Sequence, residues 1–410
     1  MPRELFNVLT PPDALQRLLD HLTVRSPSER VLTADALDRV LAEDLDSPAD
    51  LPSFPRSTMD GFAVRAADTH GATEGLPAYL TLVGEVLMGR RADITLGIGQ
   101  AARIATGGMV PPGADAVVMV EQTQEASQEL IEVLRPVASG ENVIQIGEDV
   151  ARGNPLLRRG HTLRSQDLGG LLAMGVTRVA VTQKARVGII SSGDEVIHPE
   201  QEPEPGQIRD INSYTLAALI RHAGHEPYIL GIVPDDYGQL AATARAALDQ
   251  HDVLILSAGS SVSTRDMTSE VIAALGSPGV LVHGVSLRPG KPTILAVADN
   301  KPVFGLPGNP VSCMVTFDLF VAPTLAHLCG QQQVPRTTRR ARLTRNIASA
   351  TGREDYVQVR LEQRDGEPWA EPVFGKSNLI YTLVRSDGMV KVELNQGGLV
   401  EGAWVDVILF

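Results

Sequence analysis

The sequence predicts an α/β multidomain protein whose central three-layer α/β domain holds a parallel-rich sheet. Three apolar runs that each break into a glycine-rich turn predict it. They are Ala185-Arg-Val-Gly-Ile-Ile190 into Ser191-Ser-Gly-Asp-Glu195, Asp252-Val-Leu-Ile-Leu256 into Ser257-Ala-Gly-Ser260, and Pro302-Val-Phe304 into Gly305-Leu-Pro-Gly-Asn-Pro310. Such runs between helical stretches read as buried parallel strands. Residues 183–328 alternate strands and helices, the βαβ pattern of such a sheet. The strands' carboxyl ends then line one edge, where open α/β folds bind ligands. The third turn carries most weight: two prolines and two glycines within six residues set an unusual backbone path and then release a helix. Free N–H groups at a helix start suit an oxyanion.

The flanking regions differ in character. Residues 1–50 together with 141–182 read as a helical linking domain. Pro11-Pro12-Asp13 opens helical spacing through Ala14, Leu15, Leu18, Leu19 and Leu22, which resumes from Ala34 to Leu45. Gln166 to Met174 reads as a helix that ends at Gly175, a C-cap. Residues 51–140 form a β-rich insertion, with strand-like runs starting at Ala78 and at Ala116 between Gly and Pro turns. Residues 335–410 hold short strands at Tyr356, Val390 and Trp404, as in a small β-barrel.

Composition bounds the function. A chain of 410 residues exceeds one ordinary core, so several domains are expected. Its net charge of −13 argues against a nucleic-acid partner, because phosphate backbones require a concentrated basic surface. The densest basic cluster, Arg336 to Arg345, reads as a solvated interdomain segment. No apolar run approaches a membrane span, and the first residues lack a signal-peptide pattern, so a cytoplasmic protein without a membrane partner is expected. Cys313 and Cys329 lack metal-ligand spacing, and the nine histidines show no paired spacing.

Six motifs stand in order along the chain: Thr58-Met-Asp-Gly-Phe-Ala-Val64, Ala105-Thr-Gly-Gly108, Gly147-Glu-Asp149, Ser192-Gly-Asp-Glu195, Arg288-Pro-Gly-Lys-Pro292 and Gly305-Leu-Pro-Gly-Asn-Pro-Val-Ser312. Together they resemble the molybdopterin molybdenumtransferases, the bacterial MoeA family related to the gephyrin E domain. The resemblance implies a central domain of the molybdopterin-binding type in an elongated homodimer of four-domain subunits, the helical domain serving dimerisation. It implies that adenylylated molybdopterin and molybdate give molybdenum cofactor and AMP, with Mg2+. The catalytic set it implies is Asp60, Thr106, Asp149, Glu195, Asp235 and Asp266, with Asp60 reaching the cleft from the second subunit. Partners of the pathway would be a molybdopterin adenylyltransferase and apo-molybdoenzymes.

The residues suit that chemistry, because every reactant is anionic and needs cations and N–H donors around it. Carboxylates at strand ends suit magnesium, which prefers oxygen ligands; Glu195, Asp235 and Asp266 are the candidates, Asp266 in the loop after its strand. Substrate contacts are expected from Ser192, Gly193 and Asp194, from Gly259 and Ser260, from Arg288 and Lys291, from Pro307, Gly308, Asn309 and Pro310, and from Ser377 by resemblance. Plainer roles stand beside these. Glu195 also fits a helix-start acid, Asp235 and Asp236 helix-capping acids, Asp266 an N-cap, and the Pro-Gly-Lys-Pro and Asp-Gly segments simple turns. Ile144, Gln145, Ile146 and Gly284 stand where the family carries basic residues, and Arg288 replaces a Lys.

Three functions are compatible with this sequence: the transferase, a molybdopterin adenylyltransferase, and a non-catalytic molybdopterin carrier or scaffold. Adenylyltransferases are typically the α/β domain alone, and a scaffold has no need of five carboxylates retained together. The transferase is favoured.

Overall fold

A computed structural model describes residues 8–23, 26–258, 262–332 and 336–410. The chain divides into two compact units, residues 44–158 with 166–177 and the remainder.

The larger unit holds the central domain. Its elements in chain order are β1 (Arg186–Ser192), α1 (Asn212–His222), β2 (Glu226–Val233), α2 (Tyr237–Gln250), β3 (Val253–Ala258), α3 (Val262–Ala273), β4 (Pro278–His283), β5 (Ile294–Ala298), β6 (Lys301–Pro307) and α4 (Pro310–Thr316). The sheet order is β2-β1-β3-β6-β5-β4. The four strands β2, β1, β3 and β6 are mutually parallel; β5 runs antiparallel to β6, and β4 antiparallel to β5. Alternate residues point to opposite faces: Ile189 and Phe304 pack with Leu216 and Ile220 of α1, whereas Ile190 and Leu254 pack with Leu240 of α2 and Ile272 of α3. Both faces are covered, which is why these strands read as unbroken apolar runs. A helix continues from α4 to Leu328; its mean hydropathy of 1.5 would suit a membrane span, but 61% of that window is buried, and it serves as a core helix.

The helix Pro11–Leu19 starts as its sequence indicates, with Pro at its first position and Thr10 accepting the Asp13 N–H at 3.3 Å. The helix expected from Ala34 to Leu45 is absent. Asp38 takes a left-handed φ of 60°, and the N–H groups of Asp38 and Leu41 donate to Leu163 and His161 carbonyls, both at 2.9 Å. Long-range pairing overrides the helical spacing there. Residues 141–182 likewise carry one helix, Ser165–Ala173, followed by Gly175 at φ 75°, with short strands elsewhere.

The C-terminal strands close a five-stranded barrel. Glu354–Arg364, Glu367–Pro372, Thr338–Leu343, Trp404–Leu409 and Gly388–Val392 pair in that order, and the last pairs back with the first. The arginine-rich stretch expected as an interdomain segment is thus a barrel strand. Arg340 and Arg342 lie over the Trp404 ring, and Arg342 and Arg345 pair with Glu367 and Glu371. One further pairing matters for function. The two-residue strand Leu287–Arg288 adds in parallel to Glu354–Asp355, stitching the turn after β4 to the barrel.

The smaller unit is β-rich, with a six-stranded sheet in the order Ala116–Met119, Gly61–Val64, Gln100–Ile104, Ala78–Val86, Leu130–Val133, Thr123–Ser127.

Candidate active site

The first constellation is the carboxyl edge of β1 and β2. Gly193 leaves β1 at φ 146°, and a Cβ there would lie 2.7 Å from Glu195 Oε2. Only glycine lets the Glu195 carboxylate fold back over the strand end. The Gly193 N–H donates to the Val233 carbonyl at 3.3 Å, and the Asp235 N–H donates to Asp194 Oδ1 at 3.1 Å. The turns after β1 and β2 are thereby joined. Ser192 is 2% exposed and its Oγ has no hydrogen-bond partner among the described residues.

Glu195 is not a helix-start acid. Its turn leads into Val196–Ile197, which pairs with Ile208–Arg209, and the next helix begins at Asn212. Asp236 is the capping acid of α2, accepting the Gln239 N–H at 2.8 Å. Asp266 lies within α3 rather than in a loop or at an N-cap. Its side chain lies outside the described residues, as do Gly259 and Ser260. Among the described residues no three His, Cys, Asp or Glu side chains form a metal-holding group. The oxygen donors present, Asp194, Glu195 and Asp235 in the turns after adjacent parallel strands, nevertheless fit a hard cation such as magnesium in kind.

The third turn is held by groups that sequence reasoning missed. Asn212 Nδ2 donates to Ser257 Oγ at 3.0 Å and to the Gly308 carbonyl at 2.8 Å, tying α1 to the ends of β3 and β6. Asp210, 5% exposed, accepts the Ser213 N–H at 3.1 Å. The segment Asp210-Ile-Asn-Ser just before a helix was the available signal. The expectation of free N–H groups at the helix start needs correction. Pro310 has no N–H, and the Val311 N–H is taken by the Ser377 carbonyl at 3.1 Å. Asn309 Nδ2 donates to Ser377 Oγ at 3.0 Å. Ser377 therefore belongs with this turn, as a brace on its shape.

A cavity of about 1040 Å³ opens beside it. Its wall combines Arg288 and Lys291 with Pro307 and Asn309 at the end of β6, and with Arg353, Asp355, Lys376 and Ser377 from the barrel. Asp355, 2% exposed, receives Arg353 Nε at 2.8 Å and lies 3.6 Å from the Arg288 guanidinium. Two cations, Arg353 and Lys376, join those expected from sequence. Lys291 is exposed and makes no ion pair among the described residues.

The β-rich unit carries its own polar constellation. Asp60 Oδ1 accepts the Thr106 N–H at 2.7 Å and the Thr106 hydroxyl at 2.9 Å. The backbone donor, then the hydroxyl, hold the Asp60 carboxyl below the usual carboxylate range. Gly61 is not there for a turn: a Cβ would sit 1.9 Å from the Val118 carbonyl oxygen, so only glycine lets the strands approach. Asp149 is exposed in a turn, its N–H donating to the Leu51 carbonyl at 3.1 Å.

Comparison with known proteins agrees with the geometry. Family profiles described as "MoeA N-terminal region (domain I and II)", "Probable molybdopterin binding domain" and "MoeA C-terminal region (domain IV)" match residues 9–175, 188–327 and 340–410. The molybdopterin molybdenumtransferase of Bacillus subtilis is 33% identical over 403 residues, 97% of this chain and 94% of the relative. That of Staphylococcus aureus strain MRSA252 is 31% identical over 97% of this chain and 94% of its own length. The chain belongs to the MoeA family. A solved molybdopterin biosynthesis MoeA protein of Pyrococcus horikoshii superposes with a TM-score of 0.86 at 32% identity, covering 98% of this chain and all (100%) of that one.

One of this chain's departures from the MoeA family pattern has a structural reading. Gly284, where a Lys is expected, sits at φ 93°, a backbone that side chains strain to adopt. Cys313, close to the site, is no nucleophile: burial pushes its thiol up to about 12.

Proposed function

We propose that this MoeA-family chain inserts molybdate into adenylylated molybdopterin and releases AMP, in the cytoplasm, as a homodimer. Membership places it in molybdenum cofactor biosynthesis. The observation that carries the specific reading is the cavity, where among the described residues Arg288, Lys291, Arg353 and Lys376 stand against a single carboxylate, Asp355. An excess of cations on the wall suits reactants that carry phosphate and a tetrahedral oxyanion. Adjacent parallel strands lie ~4.8 Å apart. The ends of β1 and β6, with β3 between them, are therefore about 10 Å apart, a span suited to one nucleotide-bearing substrate.

Each group then has a role. The carboxylates Glu195, Asp235 and Asp266 would hold magnesium, which supplies positive charge to the adenylate phosphates. Arg288 and Arg353, oriented by Asp355, bind oxyanion oxygens as planar forks, and Lys291 adds a mobile charge. The braced Pro307–Pro310 turn fixes where the pterin end lies. Asp60, anchored by Thr106, is contributed by the second subunit, and Asp149 belongs to the same catalytic set. An adenylyltransferase supplies the substrate and apo-molybdoenzymes take the product.

AMP release from adenylylated molybdopterin by the purified protein, measured anaerobically with magnesium and with or without molybdate, tests this. Molybdate-dependent release supports it. Tight binding without release under any oxyanion would instead make the chain a carrier. Mixing inactive Asp60→Ala and Glu195→Ala proteins restores part of the activity if subunits share the site, and complete failure to complement counts against sharing.

A further inference from the structure

Within the β-rich unit, three of the motif-bearing stretches lie side by side around one arginine. The strand Arg56–Ser57 pairs antiparallel with Val143–Ile144, and Arg56 stands directly opposite Ile144. The ribbon continues past both ends of that pairing. The Thr58 N–H donates to the Asn142 carbonyl at 3.0 Å, and the Gly147 N–H to the Pro52 carbonyl at 3.0 Å. On its other side Arg56 bridges Met109, and the Gly107 N–H donates to the Ser57 carbonyl at 2.8 Å. Residues 51–60, 105–110 and 142–150 thus form one local assembly, which carries Asp60, Thr106 and Asp149. The carboxylates of these three stretches are Asp60, Glu148 and Asp149, and their only cation is Arg56.

Arg56 pairs with none of these carboxylates. Among the described residues its guanidinium makes no ion pair and no hydrogen bond. It lies over the Phe54 ring instead, 4.7 Å from the centroid, held by an aromatic face that leaves its donors unspent. Nε is shut away without a partner, but the terminal nitrogens are not closed off. We propose that Arg56 is a substrate-binding residue: its terminal nitrogens bind an oxyanion of the reactants and bring it up to Asp60 and Asp149. The reactants are anionic, and a surface of carboxylates without a cation would repel them. A guanidinium stacked on a ring keeps its planar fork pre-oriented for two parallel bonds to phosphate or molybdate oxygens. Asp60 does not compete for that fork, because Thr106 already orients it. The assignment also accounts for Ile144: the positive charge of this ribbon stands on the facing strand. The inference rests on the functional reading above, and Arg56 enters the site from whichever subunit supplies Asp60.

The test compares wild type with Arg56→Gln, with Arg56→Lys, and with the charge transposition Arg56→Gln/Ile144→Arg. Facing residues of an antiparallel pair have Cβ atoms about 5 Å apart on one face, so the transposed guanidinium falls on the same face as the original. Equilibrium binding of adenylylated molybdopterin and of molybdate is measured anaerobically, with AMP release and Tm alongside. Arg56→Gln is expected to weaken at least one ligand about tenfold or more, with Tm within a few degrees of wild type. The Lys variant and the transposition should each recover part of that loss. Loss confined to adenylylated molybdopterin assigns the oxyanion to its phosphate, and loss confined to molybdate assigns it to the free anion. Unchanged binding of both ligands by Arg56→Gln overturns the proposal. So does binding as weak in Arg56→Lys and in the transposition as in Arg56→Gln, because a structural role for Arg56 would not be rescued by charge. If wild type binds adenylylated molybdopterin but releases no AMP, the transferase reading fails and the binding comparison still decides the role of Arg56. If wild type binds neither ligand, both fall together.

Discussion

The two ends of the central sheet hold similar residues in opposite states. At the amino end, Asp252 lies just before β3 and Arg186 opens β1, and the carboxylate accepts the Arg186 N–H at 2.8 Å and its guanidinium at 3.2 Å. His225 beside them accepts the Ala185 N–H at 3.2 Å. Charge there is matched or suppressed. At the carboxyl end, Asp194 and Glu195 have no ion-pair partner among the described residues, although Asp194 accepts a backbone N–H. Identical residue types are structural where a counter-charge is built in, and functional where the counter-charge must arrive from outside. Charge left unbalanced, rather than charge itself, marks the site.

The largest effect that would sharpen this contrast is at Glu195. Glu195→Ala should lower AMP release at least about a thousandfold, since metal-mediated charge stabilisation is worth several kcal/mol. Its Tm should stay within a few degrees of wild type, because among the described residues no hydrogen bond or ion pair is made to that carboxylate. Activity that survives, or a protein that melts early, would put Glu195 with the structural acids of the amino end.

At the amino end the corresponding effect is on stability and runs with pH. Burial, with Lys184 and Arg39 nearby, lowers the His225 pKa to about 4 from an ordinary 6.5. The unfolded chain therefore binds the proton more readily between those values, so stability falls as pH drops from 6.5 towards 4. The full loss is about 3 kcal/mol. Urea unfolding across this range should show the slope in wild type and a flatter one in His225→Asn, which keeps an acceptor for the Ala185 N–H but cannot be protonated. Equal slopes would show that His225 is accessible to protons in the fold.

Asn212 should join the two behaviours. Its amide is 8% exposed and holds Ser257 and Gly308 together. Asn212→Ala should cost about 2 kcal/mol and raise KM for adenylylated molybdopterin by loosening the third turn. A stability loss with KM unchanged would make it a residue of the fold alone.

How much of this was legible in the sequence follows from how local each feature is. The turns after β1 and β6 each sit beside their own strand, so Glu195, Pro307 and Asn309 could be read from a few neighbouring residues. Asp236 as a cap was equally local. The cationic cavity was half legible. Arg288 and Lys291 share one turn, but Arg353, Asp355 and Gln358 reach it only because Leu287–Arg288 pairs with Glu354–Asp355 across more than sixty residues of chain. No period or spacing encodes that pairing. The false helix from Ala34 to Leu45 failed for the same reason: its backbone donors are claimed by residues 161–163. The arginine stretch misled because alternation on a barrel strand looks, in one dimension, like a charged linker.

The smallest expected effect is the strictest check on the comparison. Arg186 and Asp252 form the most conspicuous ion pair on the sheet, yet their side chains are 49% and 41% exposed. Solvent screens such a pair, so Asp252→Asn should cost under about 1 kcal/mol. The Asn oxygen can still accept the Arg186 N–H, which keeps the strand ends in register. AMP release should be unchanged, because the pair lies at the opposite end of the strands from the turns that hold Glu195 and Asp235. Double-mutant analysis with Arg186→Gln by urea unfolding, alongside steady-state kinetics, separates the outcomes. A coupling well above 1 kcal/mol, or a fall in kcat without loss of folded protein, would mean that the amino end is more than a structural counterpart of the site.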